Sequence, residues 1–187
     1  GRTVPVGGRT ATVGAVELHE ALAEVACLLG TWQGEGEGGY PTVESFRYRE
    51  TATFEHVGKP RISYRNATEN ASTGLPLHAE SGFLRGAGPG RAEFVLAYGS
   101  GIVDVEEGEV TVHPDGVALH LRTTGIARTA TAKEVLTIER RITVAGDTLR
   151  YQVAMGAVGQ PHQHHLAAVL TRLGGADRSP RPRGSDD

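Results

Sequence analysis

Gly30-Thr31-Trp32-Gln33-Gly34-Glu35-Gly36, with Gly39-Tyr40-Pro41-Thr42 close behind, is the stretch that decides how this chain folds. It holds the single tryptophan of the 187 residues, set among glycines at alternate positions. Alternate residues of a strand share one face, so glycine at every second place leaves that face bare. A bare face suits a strand that coils sharply, or one against whose backbone another group must lie.

Working outward, Leu18, Leu22, Val25, Leu28 and Leu29 recur at helical spacing with Glu17, Glu20 and Glu24 between them. The pattern predicts a short amphipathic helix from Ala15 that closes one end of a barrel, with Gly30 as its C-cap. Beyond Gly30 strand patterns dominate. Phe46, Tyr48, Ala52 and Phe54 alternate with Arg47, Arg49, Thr51 and Thr53, giving one buried and one wet face. Further apolar runs lie around Ile62 and Tyr64, Phe83, Phe94 and Leu96, Val103 and Val105, Val110 and Val112, Val117 to Leu121, Leu136 to Val144, Leu149 to Met155, and His165 to Leu173. About ten strands joined by hairpin-sized turns predict an all-β fold, an antiparallel up-and-down β-barrel with a short N-terminal helix. The barrel is expected over 15–173, after a flexible N-terminal arm over 1–14. A disordered C-terminal tail is expected over 174–187, where Arg178, Arg181 and Arg183 lie among Ser, Pro and Gly.

Composition points the same way. The chain has 26 glycines and 9 prolines at 39% hydrophobic residues, which favours short strands and many turns over a helical bundle. A net charge of -3 supplies no broad basic field for nucleic acid. Cys27 is the lone cysteine, so no internal disulfide calls for an oxidising compartment. No apolar run of about 18 residues offers a membrane span, and the start lacks the basic-then-apolar pattern of a signal peptide. The expected location is the cytoplasm.

The histidines are the main chemical candidates. His162, His164 and His165 lie within four residues. On a regular strand His162 and His164 share one face and His165 takes the other, so the three cannot ligate one metal. The His-x-His pair needs a further ligand to hold zinc, and no spacing singles out His56, His78, His113 or His120 to supply it. A surface or turn role for His162 and His164 is the plainer reading. His165 opens a run, Leu166 to Leu170, that is apolar on both faces. A neutral imidazole nitrogen in so dry a place suits an axial ligand of haem iron, and equally a core histidine bonded to backbone. Glu50 falls on the apolar face of Tyr48 and Ala52, so a buried carboxylate paired with Arg49 or Arg140 is expected. No nucleophile elbow, hydrolytic carboxylate pair or phosphate loop is present. Asn66-Ala67-Thr68 and Asn70-Ala71-Ser72 match glycosylation sequons by chance.

Taken in order and spacing, Gly30-Thr31-Trp32-Gln33-Gly34-Glu35-Gly36, Tyr40-Pro41-Thr42, Phe46-Arg47-Tyr48-Arg49-Glu50, His56-Val57-Gly58-Lys59-Pro60, Ala132-Lys133-Glu134, Gln160-Pro161 and His165-Leu166 resemble the nitrobindin family. The resemblance runs from about Leu28 to Arg172. It implies a small barrel, similar in outline to lipid carriers, that holds one haem b at one end through a single histidine. By position His165, directly before a leucine, matches the proximal iron ligand and catalytic centre. Thr42 matches a residue lining the haem pocket, and Lys133 a basic residue near a propionate. Gly30, Trp32, Gly34 and Gly36 belong to the motif taken as cofactor-binding. His162 and His164 depart from the family pattern, and a register difference or a loop bulge would present His164 to the iron instead.

The implied activity is a haem-dependent isomerisation of peroxynitrite to nitrate, with nitric oxide as a further ligand. Partners are then small molecules, without nucleic acid or membrane. A homodimer through an outer strand face is compatible with the sequence, which carries no decisive apolar outer stripe. Two other classes compete. One is a non-enzymatic carrier of a fatty acid or other apolar ligand, and the other a zinc enzyme built on His162 and His164.

Overall fold

The computed structural model describes residues 16–174, so the expected arm over 1–14 and all of the expected tail beyond 174 lie outside the described residues. Ten antiparallel strands close into one barrel, each paired with its neighbours in sequence. They are β1 (Gly30–Tyr40), β2 (Val43–His56), β3 (Ile62–Asn70), β4 (Pro76–Gly86), β5 (Arg91–Tyr98), β6 (Ile102–His113), β7 (Gly116–Arg128), β8 (Val135–Ala145), β9 (Thr148–Ala157) and β10 (Gln163–Arg172). The ring shuts where β1 pairs with β10, from Trp32 opposite Arg172 to Gly38 opposite Leu166. Closure leaves no sheet edge unpaired. This is the up-and-down barrel the sequence led us to expect. No helix among the described residues is long and apolar enough to cross a membrane.

One end of the barrel is plugged. Glu20–Leu28 forms a 3₁₀ helix, and Leu22, Val25 and Leu28 stand three residues apart in it. At three residues per turn they line up on one face, and each is at most 2% exposed. The Gly90 N–H in the β4–β5 turn donates to Glu24 at 2.8 Å, tying the helix to the rim. Gly30 is not the cap expected of it. The helix stops at Leu29, whose N–H bonds the Ala26 carbonyl. Gly30 instead enters β1 at φ +124, a conformation that residues with a side chain rarely adopt.

Behind the plug lies the apolar core, with Trp32, Phe54, Ile62, Leu84, Phe94, Leu96, Leu119, Leu121 and Leu170 all buried. Trp32 donates its indole N–H to the Leu28 carbonyl at 2.8 Å. The Arg172 guanidinium stacks 4.0 Å from the indole centre and donates to the Leu29 and Cys27 carbonyls. The last residue of β10 thus stitches the helix to the barrel. The glycines of β1 allow close approach. A Cβ on Gly34 would collide with the Val169 carbonyl and the Leu170 backbone, and one on Gly36 with the Tyr48 ring.

Three strands run out of phase with their most apolar residues. Val103, Phe83 and Leu136 are exposed, whereas Asp104, Leu84 and Ile138 face inward. β6 also continues through Gly108 to His113 without a break.

Gly34→Ala is expected to destabilise the barrel by about 1–3 kcal/mol, the usual cost of overpacking against backbone. At Gly125 nothing lies near an added Cβ, so Gly125→Ala should change stability by less than about 1 kcal/mol. Urea unfolding of the two variants checks this contrast.

Candidate functional site

Antiparallel alternation places the turns after β1, β3, β5, β7 and β9 at the end opposite the plug. Thr42, in the β1–β2 turn, and Lys133, in the β7–β8 connection, are both there and both exposed. The start of β10, with His164 and His165, is there too. Gly30 and Trp32 belong to the plugged end, and Gly34 and Gly36 to the seam between. The site residues expected from sequence therefore divide into a group at the open end and a group that shuts the barrel.

His165 owes its position to two bulges lying side by side. The β1–β2 register shifts between Gly38 and Tyr40, and the β10–β9 register between His164 and Leu166. Such bulges re-aim side chains near strand ends. His165 Nδ1 lies 3.0 Å from the Gly39 carbonyl oxygen. A carbonyl only accepts, so Nδ1 carries the proton and the Nε2 lone pair is left free. The Tyr40 ring meets the imidazole edge-on at 5.4 Å, and its own hydroxyl accepts from the Ala157 N–H at 2.9 Å. Burial lowers the His165 pKa against the pull of the Gly39 carbonyl, and His164 and His78 lower it further. The imidazole is thus neutral and fixed in one tautomer.

The bulge does not bring His164 inward; His164 is exposed while His165 is half-buried. His162 is engaged elsewhere, with Nδ1 2.9 Å from Thr137 Oγ1 and Nε2 3.6 Å from Glu139. Among the described residues no three His, Cys, Asp or Glu side chains are arranged to hold a metal ion. The zinc reading of His162 and His164 finds no support there.

His165 lines a groove of about 490 Å³ with Gly39, Ser45, Phe46 and His164 and with the charged, exposed Glu37 and Arg47. Inward-pointing Phe46, His78, Tyr98, Met155 and Leu166 remain partly exposed at this end, in contrast to the sealed core near the plug. A single imidazole with a free Nε2, apolar neighbours in Phe46 and Leu166, and a lysine at the rim make a donor set that fits haem.

Between mouth and core runs a buried polar layer. Arg140 donates through Nε to both oxygens of Glu106 (3.2 and 3.3 Å), through Nη1 to Glu80 (3.2 Å), and through Nη2 to Tyr98 (3.1 Å). Tyr64 donates to Glu80 at 2.7 Å. Asp104 Oδ1 accepts from Thr123 at 3.0 Å, while Oδ2 has no ordinary donor. Burial raises Glu106 and Asp104 above the usual carboxylate range, against the pull of Arg140. Burial would raise Glu80 too, but Arg140 and His78 hold it down at about 2. Glu50 is buried as expected, yet its partners are Asn66 and Tyr151. Arg49 instead bonds Glu69 in the open, and Arg140 is taken by Glu80 and Glu106.

Residues 21–172 match the family model described as a THAP4-like, heme-binding β-barrel domain. A protein named peroxynitrite isomerase 2 from Mycobacterium avium is 52% identical over 156 residues, 83% of this chain and 97% of that protein. One named peroxynitrite isomerase from Nocardia farcinica is 45% identical over 158 residues, covering 84% and 94%. The crystal structure of Rv2717c from M. tuberculosis superposes with a TM-score of 0.82 at 46% identity, covering 83% of this chain and 99% of that one.

The polar layer sets how stability varies with pH. Burial raises Glu50 from 4.5 to about 7, so its contribution is full below pH 4.5 and is lost as pH rises through 7. Glu80, held near 2, has the opposite sign: its contribution is full above 4.5 and is lost as pH falls towards 2. Stability should peak near about pH 5 and decline towards about pH 8. Glu50→Gln should flatten that decline, as read from urea midpoints across this range; an unchanged slope would count against the assignment.

Proposed function

The chain belongs to the THAP4-like haem-binding β-barrel family, and we propose that it binds one haem b at the open end through His165 Nε2 and isomerises peroxynitrite to nitrate. The observation that carries this reading is the free Nε2 of a neutral His165, held by the Gly39 carbonyl at the mouth of the barrel. Bound haem would supply an iron that acts as a Lewis acid towards peroxynitrite. The chain does the rest. His165 Nε2 would hold the iron, and the Nδ1–H bond to Gly39 keeps the ring from turning and would raise its donor strength. Phe46 and Leu166 offer apolar contact to a macrocycle. Lys133 gives a charge, and Thr42 a hydroxyl, to a propionate at the rim. Gly30, Trp32, Gly34 and Gly36 serve the site indirectly, by closing the barrel that carries it.

The same iron would take nitric oxide. The chain would work in the cytoplasm, and two barrels would pair through an outer sheet face. The carrier alternative is disfavoured inside the barrel, where the space among Glu50, Phe54, Tyr64, Phe94 and Leu170 is about 10 Å³. That is too small for an acyl chain.

Haem-loaded protein should speed the decay of peroxynitrite beyond an equal amount of free haemin, with nitrate as the product; decay no faster than with haemin would sink the proposal. Lys133→Ala should weaken haemin binding only about two- to fivefold, because an exposed ion pair contributes about 1 kcal/mol or less. A Soret titration measures that loss.

A further inference from the structure

His162 has no part in the account above, yet it stands in the β9–β10 turn just ahead of His165. That turn is tied to β8 at two points. The first is backbone: the Val158 N–H donates to the Glu134 carbonyl at 3.0 Å. Val158 holds φ +45 there, alone among the described non-glycine residues in the left-handed region. A β-branched residue takes that conformation only where its surroundings impose it. The second tie is the His162 ring. It crosses the end of β9 over Gly156, where an added Cβ would stand 2.9 Å from Thr137 Oγ1 and 3.4 Å from the His162 nitrogen. Beyond Gly156, Nδ1 meets Thr137 Oγ1 at 2.9 Å and Nε2 lies 3.6 Å from Glu139. Glu139 is itself fixed by Arg141 and by His120, each at 2.7 Å.

We propose that His162 is a positioning residue that sets the register in which β10 begins, and so selects His165 rather than His164 as the haem ligand. The inference rests on the haem reading of His165. The pairing of β10 with β9 carries it. Gln163 pairs with Met155, His164 with Ala154 and Leu166 with Val153, so His165 is the odd residue of the bulge. Leu166 is held from the other side, opposite Gly38 of β1. A regular strand running back from inward-facing Leu166 would pair His165 with Ala154, His164 with Met155 and Gln163 with Gly156. Alternation would then turn His164 inward and His165 outward. In that register Gln163 takes the place beside Gly156 where His162 now lies, and the ring is drawn off Thr137. The tie and the regular register exclude each other. A bulge forgoes ladder hydrogen bonds and persists only where other contacts hold it. The Gly39 carbonyl holds this one at His165, and Thr137 and Glu139 hold it at His162.

Haemin titrations followed at the Soret band test this in the parent, His162→Ala and His162→Gln, each with and without His164→Ala. His162→Ala should raise the haemin Kd about fivefold, the worth of one hydrogen bond. His162→Gln, whose amide can meet Thr137 and Glu139, should recover most of that loss. His164→Ala should shift the band and weaken binding more in the His162→Ala background than in the parent, because His164 shares the iron there. Thr137→Val, which removes the partner and keeps its shape, should weaken binding in the same direction even if His162→Ala fails to fold. In the haem-free proteins, imidazole nitrogen NMR should find His165 fixed as Nδ1–H in the parent and averaged in His162→Ala. Parental haemin affinity in both His162→Ala and Thr137→Val overturns the proposal. So does a loss that His162→Gln leaves unrepaired, or an equal effect of His164→Ala in the two backgrounds. Absence of a saturable Soret band in the parent would instead bring down the haem reading, and the choice of ligand with it.

Discussion

The molecule depends on how closely β1 can approach β10. A barrel of ten strands closes only if its first and last strands meet with the right coil, and here one of them is nearly bare on its inner face. Gly34 gives way to the backbone of β10 and Gly36 to the ring of Tyr48. A side chain at Gly34 would hold the seam apart, and one at Gly36 would displace the Tyr48 ring. The same seam ends at Gly38 opposite Leu166, and the bulges of Gly39 and His165 follow at once. Closure and the geometry of His165 are thus two consequences of one pairing.

From that seam the interior sorts itself along its axis. The plugged end is dry and dense, with Trp32 capped by Arg172 and the helix above it. The open end keeps inward-facing rings partly in contact with water. Between them Arg140 is flanked by Glu80 and Glu106 with almost no exposure. Buried ion groups of this kind are weak evidence for stability, because desolvation offsets much of their attraction. They fix geometry instead. Glu80 reaches the mouth through His78, so the buried layer orients a side chain at the surface of the site.

Much of this was legible in the sequence. The period-two patterns around Phe46 to Phe54 and the turn residues identify strands, and the glycine-spaced motif around Trp32 marks the sharply coiled one. Leu22, Val25 and Leu28 announce a buried helical face, although spacing alone does not distinguish a three-residue turn from a longer one. The polar layer was not legible. Val103 and Val105 suggest an inward apolar face for β6, but Asp104 and Glu106 occupy it, because Arg140, two strands further along the chain, pairs with Glu106, and Thr123 bonds Asp104. Such pairing is long-range, and no local pattern encodes it. Glu50 shows the same limit: its burial follows from its neighbours on β2, whereas Asn66 and Tyr151 come from β3 and β9. For the site, the His165-Leu166 pair and Lys133 are visible as motif pieces. The bulge that separates His165 from His164 is a property of two strand registers and is absent from either strand alone.

The most direct test of the account is a crystal structure of the haem-loaded protein. It should show the iron bonded to His165 Nε2 at the open end, with Nδ1 still on the Gly39 carbonyl. Iron bonded to His164, or haem seated at the Trp32 end, would contradict it.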